Sequence, residues 1–198
     1  MVSTRFANRV RGRLGPLGTA VARTHLSPNM LTVLGLLLNA GVAAVIASGN
    51  LVLGGVLVLV AGGFDALDGA VARATGQSSR FGGFLDSTID RYSEAVVFAG
   101  LLIYLTETDA GTIPILLTYA TIVGSLMISY SRAKAEQLGI KGDVGFAQRL
   151  ERVIILAFFL LISEPVWGLW ILAIATHLTA LHRVLHVWNV TRQDGARS

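Results

Sequence analysis

Apolar residues gather in six stretches, near positions 30–49, 51–72, 84–105, 111–131, 150–163 and 166–189. A helix needs about 20 such residues to cross the roughly 30 Å hydrocarbon layer of a bilayer. The fifth stretch is short as an apolar run. It reaches spanning length only if its basic start, Phe146 to Arg152, is helical too. The pattern predicts an all-α polytopic membrane protein with six transmembrane helices. Before the first stretch, Phe6, Val10, Leu14, Leu17 and Val21 recur at helical spacing, with Arg5, Arg9, Arg11, Arg13 and Arg23 interleaved. Such a pattern fits an amphipathic helix on the membrane surface; a disordered basic tail would carry the same charges. Ser27 and Pro28 in "HLSPN" suit the N-cap and first position of the first span. The chain reads as one domain, 1–198: an interfacial helix at 3–24, a six-helix core at 25–190 and a tail at 191–198.

Charge orients these spans. The connections "SGN" at 48–50, "TETDAG" at 106–111 and "SEP" at 163–165 contain none of the sixteen Lys and Arg residues. Those fall at the N-terminus, near 73–91, between spans four and five, or from Arg183 onward. The positive-inside rule places them on the cytoplasmic side, so both termini lie inside and the number of spans is even. Composition agrees: 53% of residues are hydrophobic and 14% charged, with a mean hydropathy of +0.65. A soluble domain carries about 25% charge. The net charge of +4 then fits a cytoplasmic membrane face better than nucleic acid. Cysteine is absent, which removes disulfides and thiolate metal sites. The N-terminus lacks the compact apolar core of a secretory signal. A multi-pass protein of the cell membrane is expected.

One stretch breaks the apolar pattern: "DALDGAVARATGQSSRFGGFLDSTID", Asp65 to Asp90. A charge at mid-bilayer costs about 2.5 kcal/mol or more, so its aspartates need compensation. Asp65 and Asp68 are three apart, and Asp86 and Asp90 four apart, so each pair shares a helix face. The pairs lie at the end of span two and the start of span three; a hairpin of these spans would bring them opposite each other. Arg73 and Arg91 could balance two of the four charges. Hard oxygen ligands without His or Cys favour Mg²⁺ or Mn²⁺ over Zn²⁺. Four carboxylates can hold two such ions, an arrangement suited to displacement at phosphorus. Gly69 and Gly82 would let a ligand approach closely, or would only tighten helix packing, the reading preferred for Gly62 and Gly63. Arg73 could offer its fork to a phosphate or simply snorkel to the interface. Glu94 continues the face of Asp90, as a supporting group or a partner for Arg91.

The spacing of Asp65, Asp68-Gly69, Ala72-Arg73, Gly82, Asp86 and Asp90 resembles the signature of the CDP-alcohol phosphotransferases. The six-helix core of that family also matches the count of spans. The resemblance implies displacement of CMP from a CDP-linked lipid by an alcohol, with two divalent metals. It implies Asp65, Asp68 and Asp86 as metal ligands, and Asp90 as a further group at the metals and the general base. Gly69, Arg73, Ser79 and Gly82 would contact the nucleotide diphosphate. "NMLT", Asn29, Met30, Leu31 and Thr32, would line the cytidine pocket. The family also suggests a homodimer.

A second region, "ISYSRAKAEQLGIKGDVGFAQRLERVIIL" from Ile128, resembles the inositol phosphate-using branch of the family, the phosphatidylinositol phosphate synthases and their archaeal-lipid counterparts. Gln148 departs from the acidic residue expected there. By that resemblance Lys134, Arg152 and Arg183 face the acceptor phosphate. Read from the residues alone, Arg132, Lys134, Arg149 and Arg152 cluster at the cytoplasmic ends of spans four and five, where a dianionic phosphate or anionic lipid could bind. His177, His182 and His186 fit packing or interfacial positions, and Trp167, Trp170 and Trp188 suit the membrane interfaces. The expected reaction joins CDP-diacylglycerol to inositol phosphate, with the donor's chains remaining in membrane lipid. Glycerol 3-phosphate is the alternative acceptor. A cation transporter with intramembrane carboxylates is the alternative of another class, although it leaves Gly69, Arg73 and Gly82 unexplained.

Overall fold

The computed structural model describes residues 27–74 and 79–195, with the side chains of 66–74 and 194–195 outside the description. The expected helix at 3–24 lies outside the described residues. Six helices follow one another: α1 (Pro28–Ala47), α2 (Leu51–Ala74), α3 (Arg80–Glu107), α4 (Thr112–Gln137), α5 (Arg149–Leu161) and α6 (Pro165–Gly195). Among the described residues there is no strand. The fold is all-α, as the hydropathy pattern predicts.

Helix ends follow local chemistry. Ser27 caps α1, its hydroxyl accepting from the Met30 amide at 3.3 Å, and Pro28 opens the helix. Ser79 caps α3 in the same way, accepting from the Gly82 amide at 2.9 Å. Residues 191–195, expected in a tail, continue α6.

The helices form a closed ring. α1 packs on both α2 and α3, α3 on α4, α4 on α6, α6 on α5, and α5 back on α2. Its interior draws Val42 and Ile46 from α1, Val58 from α2, Phe98 and Leu101 from α3, Leu156 and Leu160 from α5, and Leu169 and Leu172 from α6. Between apolar helices in lipid, close packing replaces the hydrophobic drive, so small residues sit at the crossings. Gly100 of α3 lies against the backbone of Ala43 in α1, and Gly124 of α4 against Thr176 in α6, where a Cβ would have no room. The sequence suggests a hairpin of α2 and α3; in the structure α1 packs between them, and among the described residues they are not a closely packed pair.

Three helices, α1, α4 and α6, are long and apolar enough to cross a membrane. Their outer faces carry exposed large apolar side chains such as Leu37, Ile113, Leu116, Ile174 and Leu178, a surface that suits lipid rather than water. α2 and α3 have the length but carry the signature charges. α5 has only 13 residues, about 20 Å at 1.5 Å per residue. Its basic start contributes less helix than expected, since Phe146 to Gln148 are not helical. Gly145 before them has a φ of 107°, outside the helical range and suited to glycine, and Ala147 spends its amide and carbonyl on Thr179 and Arg152 instead.

Candidate active site

The first half of α1 is the spine of the site. Asn29, at its start, faces α3: a Cβ on Gly82 would stand 3.2 Å from Asn29 Oδ1 and 3.0 Å from Ser79 Oγ. Three residues expected at the nucleotide are thereby brought together. Of the rest of that segment, Met30 is exposed, while Leu31 and Thr32 are buried, Thr32 Oγ1 donating to the Pro28 carbonyl at 3.1 Å. Two turns further on, a Cβ on Gly35 would lie 2.9 Å from Asp65 Oδ1. A side chain there would press on the Asp65 carboxylate of α2 as it now stands. Gly62 packs toward Val153 of α5, as the packing reading expects. The side chains of Asp68, Gly69 and Arg73 lie outside the described residues.

Asp65 and Asp90 meet on one cation. Arg149, the first residue of α5, donates from Nη2 to Asp65 Oδ2 at 2.5 Å and from Nη1 to Asp90 Oδ1 at 2.6 Å. Both carboxylates are mostly buried, with 17% and 21% of their side chains exposed. The charge of Asp86 acts on both of them. Arg91, expected to balance the aspartates, stands 3.6 Å from Asp90 and donates to the Ser87 carbonyl at 2.6 Å. Among the described residues the closer compensating cation is therefore Arg149, far away in sequence and assigned by the sequence to the acceptor, with Arg91 as a second, longer partner of Asp90.

The donor set fits a hard divalent ion. Carboxylate oxygens from two helices already converge on a single positive group, and Gly35 of α1 lies against one of these carboxylates. As the side chains stand, no group of three His, Asp or Glu is gathered for a metal among the described residues. Arg149 holds two of the oxygens such a group would need.

Behind Arg149 lies a second ion pair. Arg152 donates from Nε and Nη2 to the two oxygens of Glu94, both at 2.7 Å, and from Nη1 to the Ala147 carbonyl at 2.9 Å. Glu94 pairs with Arg152, not with Arg91 as considered from sequence. Only 4% of the Arg152 side chain is exposed. Three of its five N–H groups are committed within the protein. Glu94→Ala strands that guanidinium without its partner, which costs about 3–5 kcal/mol. Thermal unfolding in detergent should shift strongly downward; an unchanged Tm would show that the pair carries no structural load.

Arg183, on α6, is also buried. It donates from Nε to the Val144 carbonyl at 2.9 Å and from Nη1 to the Ile128 carbonyl at 2.5 Å, tying the 138–148 loop and the end of α4 to α6. Arg132 pairs with Glu136 at 2.8 Å, and Lys134 donates to Gln137 Oε1 at 3.0 Å; both cations are exposed. The charges of Arg132 and Arg152 act on Arg183. The five expected acceptor cations thus divide into two exposed ones on α4, two buried and anchored ones, and Arg149 on the carboxylates. His177 bonds to the Ala173 carbonyl of its own helix at 3.0 Å, in keeping with packing.

Known proteins resemble this chain in sequence and fold. Residues 25–182 match the family model for CDP-alcohol phosphatidyltransferase. An archaetidylinositol phosphate synthase of Pyrococcus horikoshii is 38% identical over 178 residues, 89% of this chain and 91% of that one. The crystal structure of Mycobacterium tuberculosis phosphatidylinositol phosphate synthase with CDP-DAG bound superposes with a TM-score of 0.82 at 34% identity, covering 88% of this chain and 93% of that one. The same enzyme in complex with manganese and citrate gives a TM-score of 0.79 at 34% identity, covering 88% of each chain.

Proposed function

The chain belongs to the CDP-alcohol phosphatidyltransferase family, and from that membership we propose that it transfers the phosphatidyl group of CDP-diacylglycerol to inositol phosphate. The products are phosphatidylinositol phosphate and CMP. The observation that carries this reading is the convergence of Asp65 and Asp90, from two helices, on one cation beside the Gly35 notch. The names of the similar enzymes, and the CDP-DAG bound in one of them, support the choice of donor and acceptor.

Asp65, Asp68, Asp86 and Asp90 are assigned two divalent ions, Mg²⁺ or Mn²⁺; the manganese complex of the mycobacterial enzyme supports the choice. Such ions, when bound, polarise phosphoryl oxygens and offset the negative charge of the departing CMP. The chain's own groups do the rest. Asn29 to Thr32 take the cytidine, while Gly69, Arg73, Ser79 and Gly82 border the diphosphate. Asp90 removes the proton from the acceptor hydroxyl as it attacks the lipid-linked phosphorus. Arg132, Lys134, Arg149, Arg152 and Arg183 form the cationic wall for the acceptor phosphate. The buried bonds of Arg152 and Arg183 hold that wall rigid.

The same proposal places the protein in the cell membrane as one domain. Six segments cross, the short α5 doing so together with the non-helical residues 146–148 before it, the 3–24 segment lies on the cytoplasmic surface, and both termini and the active site face the cytoplasm. The donor's acyl chains stay in lipid against the exposed apolar faces. The working unit is a homodimer.

The acceptor assignment is tested by comparing inositol phosphate with free inositol on the wild type and on Lys134→Gln. A charged hydrogen bond to phosphate is worth about 1.5–3 kcal/mol, so the variant should raise the KM for inositol phosphate about 10- to 100-fold. CDP-diacylglycerol binding and Tm should stay near wild type, because Lys134 is exposed. Equal use of free inositol by the wild type would remove the phosphate role from this cluster.

A further inference from the structure

Arg149 is used in an unusual way. Arginine's planar fork matches one carboxylate best, yet here each terminal nitrogen serves a different aspartate. That split is what two converging carboxylates impose on a cation placed between them. A hard divalent ion takes carboxylate oxygens at about 2.0–2.1 Å, closer than an N–H group approaches, and it repels a guanidinium left beside it. The two cations compete for the same oxygens.

The surroundings determine what moves. Ala147 is pinned on both sides, its amide donating to Thr179 Oγ1 at 3.2 Å and its carbonyl accepting from Arg152 at 2.9 Å. Val144 is held by Arg183, and Arg152 by Glu94. The backbone flanking Arg149 is therefore anchored at several points. Its side chain, with a long flexible stem, is the part able to turn.

We infer that Arg149 is a built-in stand-in cation, which neutralises Asp65 and Asp90 in the metal-free enzyme and is displaced from them by the incoming divalent ion toward the acceptor-phosphate cluster. This rests on the metal assignment above. It makes the site ordered: the guanidinium that completes the acceptor wall is released only once metal has loaded. An unloaded enzyme then lacks a full phosphate site as well as its metal.

Two measurements on the purified full-length protein test this without relying on turnover. The first titrates chelator-treated protein with Mn²⁺ and follows the free ion by electron paramagnetic resonance. Arg149→Gln should bind Mn²⁺ about 10-fold tighter than wild type or more, since a charged hydrogen-bonded competitor is gone. Binding that is unchanged or weaker overturns the inference. The second uses the wild type alone, so it stands even where the variant does not fold. An arginine-specific dicarbonyl reagent is applied with and without Mn²⁺, and modification is read by peptide mass spectrometry. Arg149 should react several-fold faster with Mn²⁺ present; equal or slower reaction overturns the inference. Wild type that binds no Mn²⁺ defeats the metal assignment, and this inference with it. Mn²⁺ binding that is lost in Asp65→Asn, with Arg149 behaving otherwise than stated, defeats the inference alone.

Discussion

Asp65→Asn, Asp68→Asn and Asp86→Asn are each expected to abolish CMP release in protein that still folds. The amide is nearly the same size, so packing survives, but an anionic metal ligand becomes a neutral one. The Gly35 notch that admits Asp65 admits asparagine equally. Arg149 keeps Asp90 as a partner in Asp65→Asn, which limits the structural damage. Chelation by EDTA should have the same effect on the wild type and should reverse on adding Mg²⁺ or Mn²⁺. The check is CMP release from CDP-diacylglycerol and inositol phosphate in detergent, beside a Tm for each variant. Full activity after exhaustive chelation would contradict the metal assignment.

Asp90→Asn is expected to lower the rate by about 10²-fold or more, the usual scale for loss of a general base. Asp90 is shared by two cations, Arg149 at 2.6 Å and Arg91 at 3.6 Å, and it lies one helical turn beyond Asp86. A carboxylate that chiefly holds metal would lose CDP-diacylglycerol affinity as well as rate. One that chiefly takes a proton would lose rate with affinity kept. Single-turnover rates and binding isotherms on the same preparation separate the two. A near-wild-type rate would remove Asp90 from the catalytic set.

What was legible in the sequence was whatever is local. Helix boundaries followed from apolar runs and from caps such as Ser27, whose partner is three residues away. The aspartate signature was legible because its spacing within α2 and α3 is itself the helical repeat. Pairings between distant segments were not. Arg149 reaches Asp65 across 84 residues and Asp90 across 59, and Arg152 reaches Glu94 across 58. A cation next to an aspartate in sequence, Arg91 beside Asp90, looked the better partner for want of any tertiary constraint. The place of α1 between α2 and α3 was equally hidden. It depends on Gly100 admitting the Ala43 backbone, and a glycine in an apolar run carries no sign of which neighbour it admits. Gly145, just before that segment, is the one local sign in the sequence against helix reaching back to Phe146.

The central claim, a phosphatidyl transfer to inositol phosphate, is tested most directly by product identity. Purified protein is given CDP-diacylglycerol, Mg²⁺, and an equimolar mixture of inositol phosphate, inositol, glycerol 3-phosphate and serine. The lipid products are then resolved by mass spectrometry. The expected result is phosphatidylinositol phosphate as the dominant product, formed in step with CMP and absent from Asp86→Asn. Dominant phosphatidylglycerol phosphate would keep the reaction and overturn the acceptor; CMP-free, product-free incubation with folded, metal-loaded protein would contradict the transfer itself.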